Sequence, residues 1–329
     1  MSEFGDDINE NHQITYCLGG SRGVRLWPRR HGRRAAILHD RSGANGQSRP
    51  LACSDPNARI SAVGKIKAKD GTEWIVPAKT HFESAAKAAD LYNQCNGIRL
   101  HRSADLDLQS VPVIDAGGGG ILTAYIFADN YFELYVNGTL LAVDAVPFTP
   151  FNSSVIRFKA TRPFSLAVMG VDWEENLGLG SEQNRGYTYH PGDAGLVAVI
   201  KDGSGQTVAV TDNTWRAQTF YTAPLNDRSC LKVRGQVRDS SACETESVRD
   251  GSSFSAAHWQ VPANWFAQGF DDSDWPHATV FTNDTVGVNN KPAYMNFRNV
   301  FDDPIADADF IWSSNLILDN LVLMRKVVE

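Results

Sequence analysis

From residue 111 onward, hydrophobic and polar positions alternate in short runs, each closed by a turn signal. "PVID" leads into a glycine run, Gly117 to Gly120, followed by "ILTAYIFA" and then "YFELYVNGTLLAVDAV", which Asn137-Gly138 breaks in the middle. Next come "VIRFKA", "FSLAVMGVDW", "GLVAVIKDGSGQTVAVTD" with a turn at Asp202-Gly203, "WRAQTFYTA", and a tail "ADFIWSSNLILDNLVLMRKVV". Period-two alternation in short runs, with Asn-Gly and Asp-Gly dipeptides between them, predicts antiparallel hairpins. Many such strands without intervening helices predict a mainly β chain, an antiparallel β-sandwich or jelly roll. No internal repeat interrupts the series.

The stretch from 51 to 110 reads differently. "ISAVGKIKAKDGTEWIVPA" alternates enough for a short hairpin turning at Asp70-Gly71. "HFESAAKAADLYNQ", residues 81–94, is Ala-rich and places Phe82, Ala85, Ala86, Ala89 and Tyr92 on one stripe, which predicts a helix. The expected organisation is therefore a basic leader over 1–50, a small α+β extension over 51–110 packed on the main domain, and the sandwich over 111–329.

Composition narrows the class. The 329 residues are 42% hydrophobic and 21% charged, which is globular. A formal net charge of −7 argues against a nucleic-acid partner. No apolar stretch approaches the roughly 18 residues of a membrane span. Part of the leader departs from this average: between Gly20 and Arg49, Arg22, Arg25, Arg29, Arg30, Arg33, Arg34, Arg41 and Arg49 stand against Asp40 alone. An arginine arm can grip anionic polymer, but "MSEFG" reads as a cloning scar and the arm lacks hydrophobic periodicity, so it is expected to be disordered or vector-derived.

None of the five cysteines forms a CxxC pair, which disfavours thiolate zinc. Cys230 and Cys243 flank a polar loop that a disulfide would staple, and Cys53 with Cys95 would make a second bridge, leaving Cys17 odd. Two disulfides fit an exported protein, secreted or periplasmic, although no signal peptide is visible. The sequons at Asn137, Asn152 and Asn283 carry little weight.

Three phrases together resemble the galactose-binding-like jelly-roll modules, accessory domains common in glycoside hydrolases and cell-surface proteins. They are "ADNYFELYVNG" (Ala128 to Gly138), "VTDNTWRA" (Val210 to Ala217) and "WFAQGFDDSDWPHA" (Trp265 to Ala278). The resemblance covers about residues 110–329 and implies a jelly-roll fold; it implies less about function, because such modules bind sugars, bind other ligands or brace a neighbour. In the "DDSDW" corner, Phe270 and Trp275 are expected to be core anchors. Asp271 and Asp272 are expected to accept from backbone N–H groups of the turn, and Asp212 beside Trp215 to do the same.

An insert departs from that pattern, "VDWEENLGLGSEQNRGYTYHPGDAG", and it concentrates candidate chemistry. Asp172, Glu174, Glu175 and Glu182 are hard oxygen ligands in a loop that Gly178 and Gly180 allow to fold round, a set suited to Ca²⁺. Trp173, Tyr187, Tyr189 and Trp259 are aromatics that strand alternation does not explain; with Glu174 and Asn184 beside them they would stack on and hydrogen-bond a carbohydrate or other small polar ligand. His190 and Asp193 are spaced as a base and its orienter, or as two ligands of a metal that activates water, and with Glu175 they would form the catalytic set of a metal-dependent hydrolase of an ester, lactone or glycoside. There is no G-x-S-x-G elbow and no H-E-x-x-H. The remaining histidines are scattered and carry no spacing. The leading expectation is an exported carbohydrate-binding jelly roll with a calcium-supported loop, the hydrolase is the alternative, and a purely structural docking module is the third reading.

Overall fold

The computed structural model describes residues 53–55, 64–68, 70–146, 151–173, 180–182, 190–245 and 255–329, together with the backbone of the strand Ile37–Asp40. In chain order the strands are β1 (Ile37–Asp40), β2 (Gly64–Lys67), β3 (Glu73–Val76), β4 (Ala89–Asn93), β5 (Ile98–Arg99), β6 (Val113–Asp115), β7 (Ile121–Asp129), β8 (Tyr131–Val136), β9 (Thr139–Val143) and β10 (Asn152–Lys159). They continue with β11 (Phe164–Val171), β12 (Gly195–Asp202), β13 (Thr207–Val210), β14 (Arg216–Leu225), β15 (Lys232–Arg234), β16 (Val237–Asp239), β17 (Ser255–His258), β18 (Thr279–Phe281), β19 (Phe310–Trp312) and β20 (Asp319–Val328). Three one-turn helices, α1 (Asn283–Val286), α2 (Pro292–Met295) and α3 (Arg298–Phe301), lie between β18 and β19.

The first sheet runs β1-β17-β14-β20-β11-β8-β9 and the second β18-β19-β12-β7-β10-β4-β5, with β13 added on β12 and β6 on β10. Apart from the parallel β6–β10 pair the large sheets are antiparallel, and they form a β-sandwich, as the alternation predicts. The hairpins turn where the dipeptides place them: β8 returns to β9 through Asn137 and Gly138, both at positive φ, β12 returns to β13 past Asp202, and β2 returns to β3 around Asp70-Gly71.

Each sheet is covered on both faces. Phe132, Leu134 and Val136 of β8, Leu166 and Val168 of β11, and Val322 and Met324 of β20 join one core with β7, β10 and β12 of the opposite sheet. That packing is close enough that a Cβ at Gly170 would overlap the Trp312 ring. The alternate residues of the same strands, Tyr131, Tyr135, Ala167, Met169, Val171, Leu321 and Leu323, face a second core built with Ile66, Val76, Trp173, Trp259, Trp265 and Trp275. On the second sheet α2 and α3 cover β10, β4 and β12, where Tyr294 packs edge-on to Phe127 and stacks on Phe301. Double burial explains why nearly every residue of β7, β8 and β11 is buried, where a one-sided sheet would alternate.

The expected helix over 81–94 does not form. Residues 82–84 make a turn, Lys87 bridges to Val143, and Ala89–Asn93 is β4, paired antiparallel with β10 and continuing into β5. Leu91, Tyr92 and Asn93 are buried in succession, a pattern that a strand covered on both faces satisfies and one helical stripe does not. Ala-rich propensity, a few tenths of a kcal/mol per residue, yields to that tertiary pairing. Within the stretch expected to be a leader, the backbone of Ile37–Asp40 pairs with β17 as the edge of the first sheet; the rest of 1–50 lies outside the described residues.

Both expected disulfides are present, Cys53–Cys95 and Cys230–Cys243. Among the described residues no helix is long and apolar enough to cross a membrane.

Candidate functional site

On the covered face of β8 the sequence Tyr131-Phe132-Glu133-Leu134-Tyr135 sends two tyrosines and a glutamate the same way, because side chains two apart share a face. The Glu133 side chain has no exposure at all. A carboxylate there must be met by donors, and it is. Tyr131 Oη donates at 3.0 Å and Tyr135 Oη at 2.6 Å, the His81 backbone N–H donates to Oε1, and the His81 ring meets Oε2 through Nδ1 at 2.9 Å. Burial first, and then the Glu133 charge, push both phenols well above their ordinary range, so they stay protonated donors. A carboxylate only accepts, so His81 Nδ1 is the donor to it, and in the neutral ring that tautomer makes Nε2 the acceptor. The His81 side chain is 52% exposed, so the imidazole spans from a dry carboxylate to solvent.

That imidazole lines a cleft of about 630 Å³, within the ordinary range for a small-molecule site. One wall is β3 and the following turn, with Trp74, Lys79 and His81; the other is the end of β17 and the segment after it, with His258, Gln260, Trp265 and Phe266; Tyr135, Met169 and Leu321 make the floor. Phe266 stacks on Tyr135 at 4.7 Å, and Trp74 lies over His258 at 4.2 Å. The indole N–H of Trp74 finds no acceptor among the described residues.

The "DDSDW" corner holds the second wall in place. Asp271 accepts from the Ser273 N–H at 3.2 Å and hydroxyl at 2.7 Å, the turn role expected of it. Asp272 does not share that role. Its carboxylate accepts from Arg325 Nε at 2.8 Å, while the same guanidinium donates to the carbonyls of Trp265 and Ala267. Arg325 sits on the covered face of β20, 2% exposed, and a buried guanidinium needs its fork filled, which draws the corner onto the sheet. Trp275 is buried and meets Phe270 edge-on at 5.4 Å. Asp212 behaves as expected, accepting from the Thr214 N–H at 2.8 Å.

Of the 172–195 insert the structure describes Asp172, Trp173, residues 180–182 and residues 190–195. Trp173 has no exposed surface; it packs edge-on to Tyr131 at 5.8 Å, so its ring belongs to the core and offers no face to a ligand, while its backbone N–H donates to Asn130 Oδ1. Trp259 is 4% exposed, with the Arg238 guanidinium 4.6 Å from its ring. Asp172 is buried and accepts from Asn320 Nδ2 at 3.2 Å, whereas Glu182 meets His190 Nε2 at 3.1 Å, so these two members of the expected calcium set are engaged by different protein partners. Glu174, Glu175, Asn184, Tyr187 and Tyr189 lie outside the described residues. Among the described residues no group of three or more His, Cys, Asp or Glu side chains is arranged to hold a metal ion.

The insert closes at a neck. Glu182 and His190 exchange backbone hydrogen bonds of 2.7 and 3.0 Å. Gly180, at φ +62°, sits so close to the Ala223 carbonyl that a side chain there would collide with it. Asp193, near Gly287 and Lys291, is pushed up to about 6 by burial, which outweighs the attraction of Lys291. His190, Glu182 and Asp193 thus form a neighbourhood of their own.

His81, which with His258 lines the cleft, is one whose spacing carried no signal, and its partner Glu133 stands 52 residues away. The sequence trace it leaves is a glutamate between two tyrosines at period two in an otherwise apolar strand. No protein-family model, curated protein or solved structure matches the chain.

Proposed function

We propose that this chain is an exported carbohydrate-binding β-sandwich of the galactose-binding-like jelly-roll type, and that its ligand seat is the cleft between residues 73–81 and 258–266. The observation that carries the reading is the pairing, in one cleft, of aromatic rings (Trp74, Tyr135, Phe266) with polar groups (His81, Lys79, Gln260). A sugar ring needs both, an apolar face to stack on and hydrogen-bonding groups for its hydroxyls. The buried Trp173 favours this cleft over the 172–195 insert as the seat. Export rests on the two disulfides, which persist in oxidising compartments.

The test is co-sedimentation of the purified chain with cellulose, xylan, chitin and β-1,3-glucan. The wild type is expected to pellet with at least one. Trp74→Ala and Phe266→Ala are each expected to weaken that binding about tenfold, as the loss of one stacking ring would, measured below the melting transition of each variant. Failure of the wild type to pellet with any of them, or unchanged binding by both variants, overturns the reading.

A further inference from the structure

The His81–Glu133 couple is more than a binding seat requires. A sugar hydroxyl is satisfied by any imidazole, but here a fully buried carboxylate, itself anchored by two phenols and a backbone N–H, is spent on fixing one ring nitrogen of a half-exposed histidine. Such a carboxylate fixes the tautomer and orientation of the ring and stabilises the imidazolium once it forms. Tyr135 Oη lies 3.3 Å from the same Nδ1 and packs against the ring edge, which restrains the imidazole from a second side. The lone pair on Nε2 is then directed away from the buried carboxylate.

We propose that the cleft is catalytic: His81 is a general base that activates water against an ester bond of an acylated carbohydrate, with Glu133 as its positioning residue. The carbohydrate part of this assignment rests on the binding reading above; the base does not. The water proton passes to His81 Nε2 as the water oxygen bonds to the ester carbonyl carbon. The tetrahedral oxyanion then collapses, the carbon–alkoxide bond breaks, and the imidazolium returns its proton to the leaving oxygen. The products are a carboxylic acid and the freed hydroxyl, and solvent water is the only co-reactant. Lys79 is the cation lining the cleft where an oxyanion develops.

The lining also selects the bond. Glycoside cleavage uses two carboxyl groups facing the scissile bond, and among the described residues Glu73 is the one carboxylate lining the cleft, since Glu133 is sealed behind His81. A single imidazole suffices to take one proton and return it, which is what ester hydrolysis asks.

The experiment uses the full chain with acetylated xylan and with 4-nitrophenyl acetate, following acetate and nitrophenol release. Wild type is expected to turn over at least one of them. His81→Gln is expected to lose about 100-fold or more in kcat/KM, with melting temperature retained, while the remote His277→Gln leaves turnover unchanged. Exogenous imidazole is expected to restore part of the activity of His81→Gly, a rescue that a structural role for His81 does not predict. Glu133→Gln is expected to lower kcat with KM unchanged. No turnover of either ester by the wild type, or full turnover by His81→Gln, overturns the catalytic assignment. Because sedimentation is measured separately, loss of the catalytic assignment leaves the binding reading standing, and failure to sediment leaves the ester assay to decide the role of the base.

Discussion

Glu133, Asp144 and Asp319 are all carboxylates placed inside a folded chain, and each is tolerated through its own set of donors. Asp319 accepts from four hydroxyls, those of Thr219, Thr222, Ser240 and Ser313. Asp144 accepts from the Val146 N–H and from Asn152 Nδ2. Asp193 is less well supplied. Burial raises it from 3.8 to about 6, so the folded state holds its proton more tightly than the unfolded chain does. Stability from this group is therefore present below about pH 4 and is lost as pH rises toward 6. Asp193→Asn is expected to raise the melting temperature near neutral pH and to leave it unchanged near pH 4, measured by thermal denaturation across that range. At this scale the sequence was legible where partners are close along the chain. Asp271 with Ser273 and Asp212 with Thr214 are two-residue turn contacts, and Cys230 lies near Cys243. His81 with Glu133, and Asp272 with Arg325, join residues more than fifty apart, and no local spacing announces such a pair.

The corner from residue 262 to 275 has little regular structure, yet it forms a wall of the cleft. Its position depends on Arg325, whose guanidinium joins Asp272 to the Trp265 and Ala267 carbonyls. Asp272→Ala is expected to cost about 2 kcal/mol in urea denaturation, less than loss of a partner from a fully dry ion pair, because Asp272 keeps some solvent and Arg325 keeps two carbonyls. It is also expected to weaken polysaccharide sedimentation, because Trp265 and Phe266 are carried on the same segment. Element by element, hairpins were legible from their dipeptides. The segment 81–94 was not, because an Ala-rich run satisfies helix propensity while its burial is decided by β10. Reading it as a helix also placed His81 at a helix start, where it had no reason to meet β8.

For the molecule as a whole, alternation was enough to give a mainly β sandwich, because the sheets are long and each strand is bounded by turn residues. It did not give the covering of the outer faces. That depends on 73–86, read as the end of a hairpin and the start of a helix, and on 259–275 over the same sheet and 283–301 over the other, which carry no strand alternation; these segments pack through single aromatic anchors with no period of their own. The candidate site sits on one of these outer coverings, so sequence patterning located the scaffold and passed over the cleft.

The Cys53–Cys95 bond spans 42 residues, and the first wall of the cleft, Trp74 through His81, falls between its two ends. This makes the wall part of a covalent ring rather than an open thread. One protease cut anywhere from 54 to 95 opens the ring but releases neither piece, and Trp74 and His81 stay tethered to the sandwich even when they end up on different fragments. Limited proteolysis in that interval is expected to yield a chain that runs as one band until it is reduced and as two afterwards, with its polysaccharide sedimentation surviving the cut and fading only with the reductant.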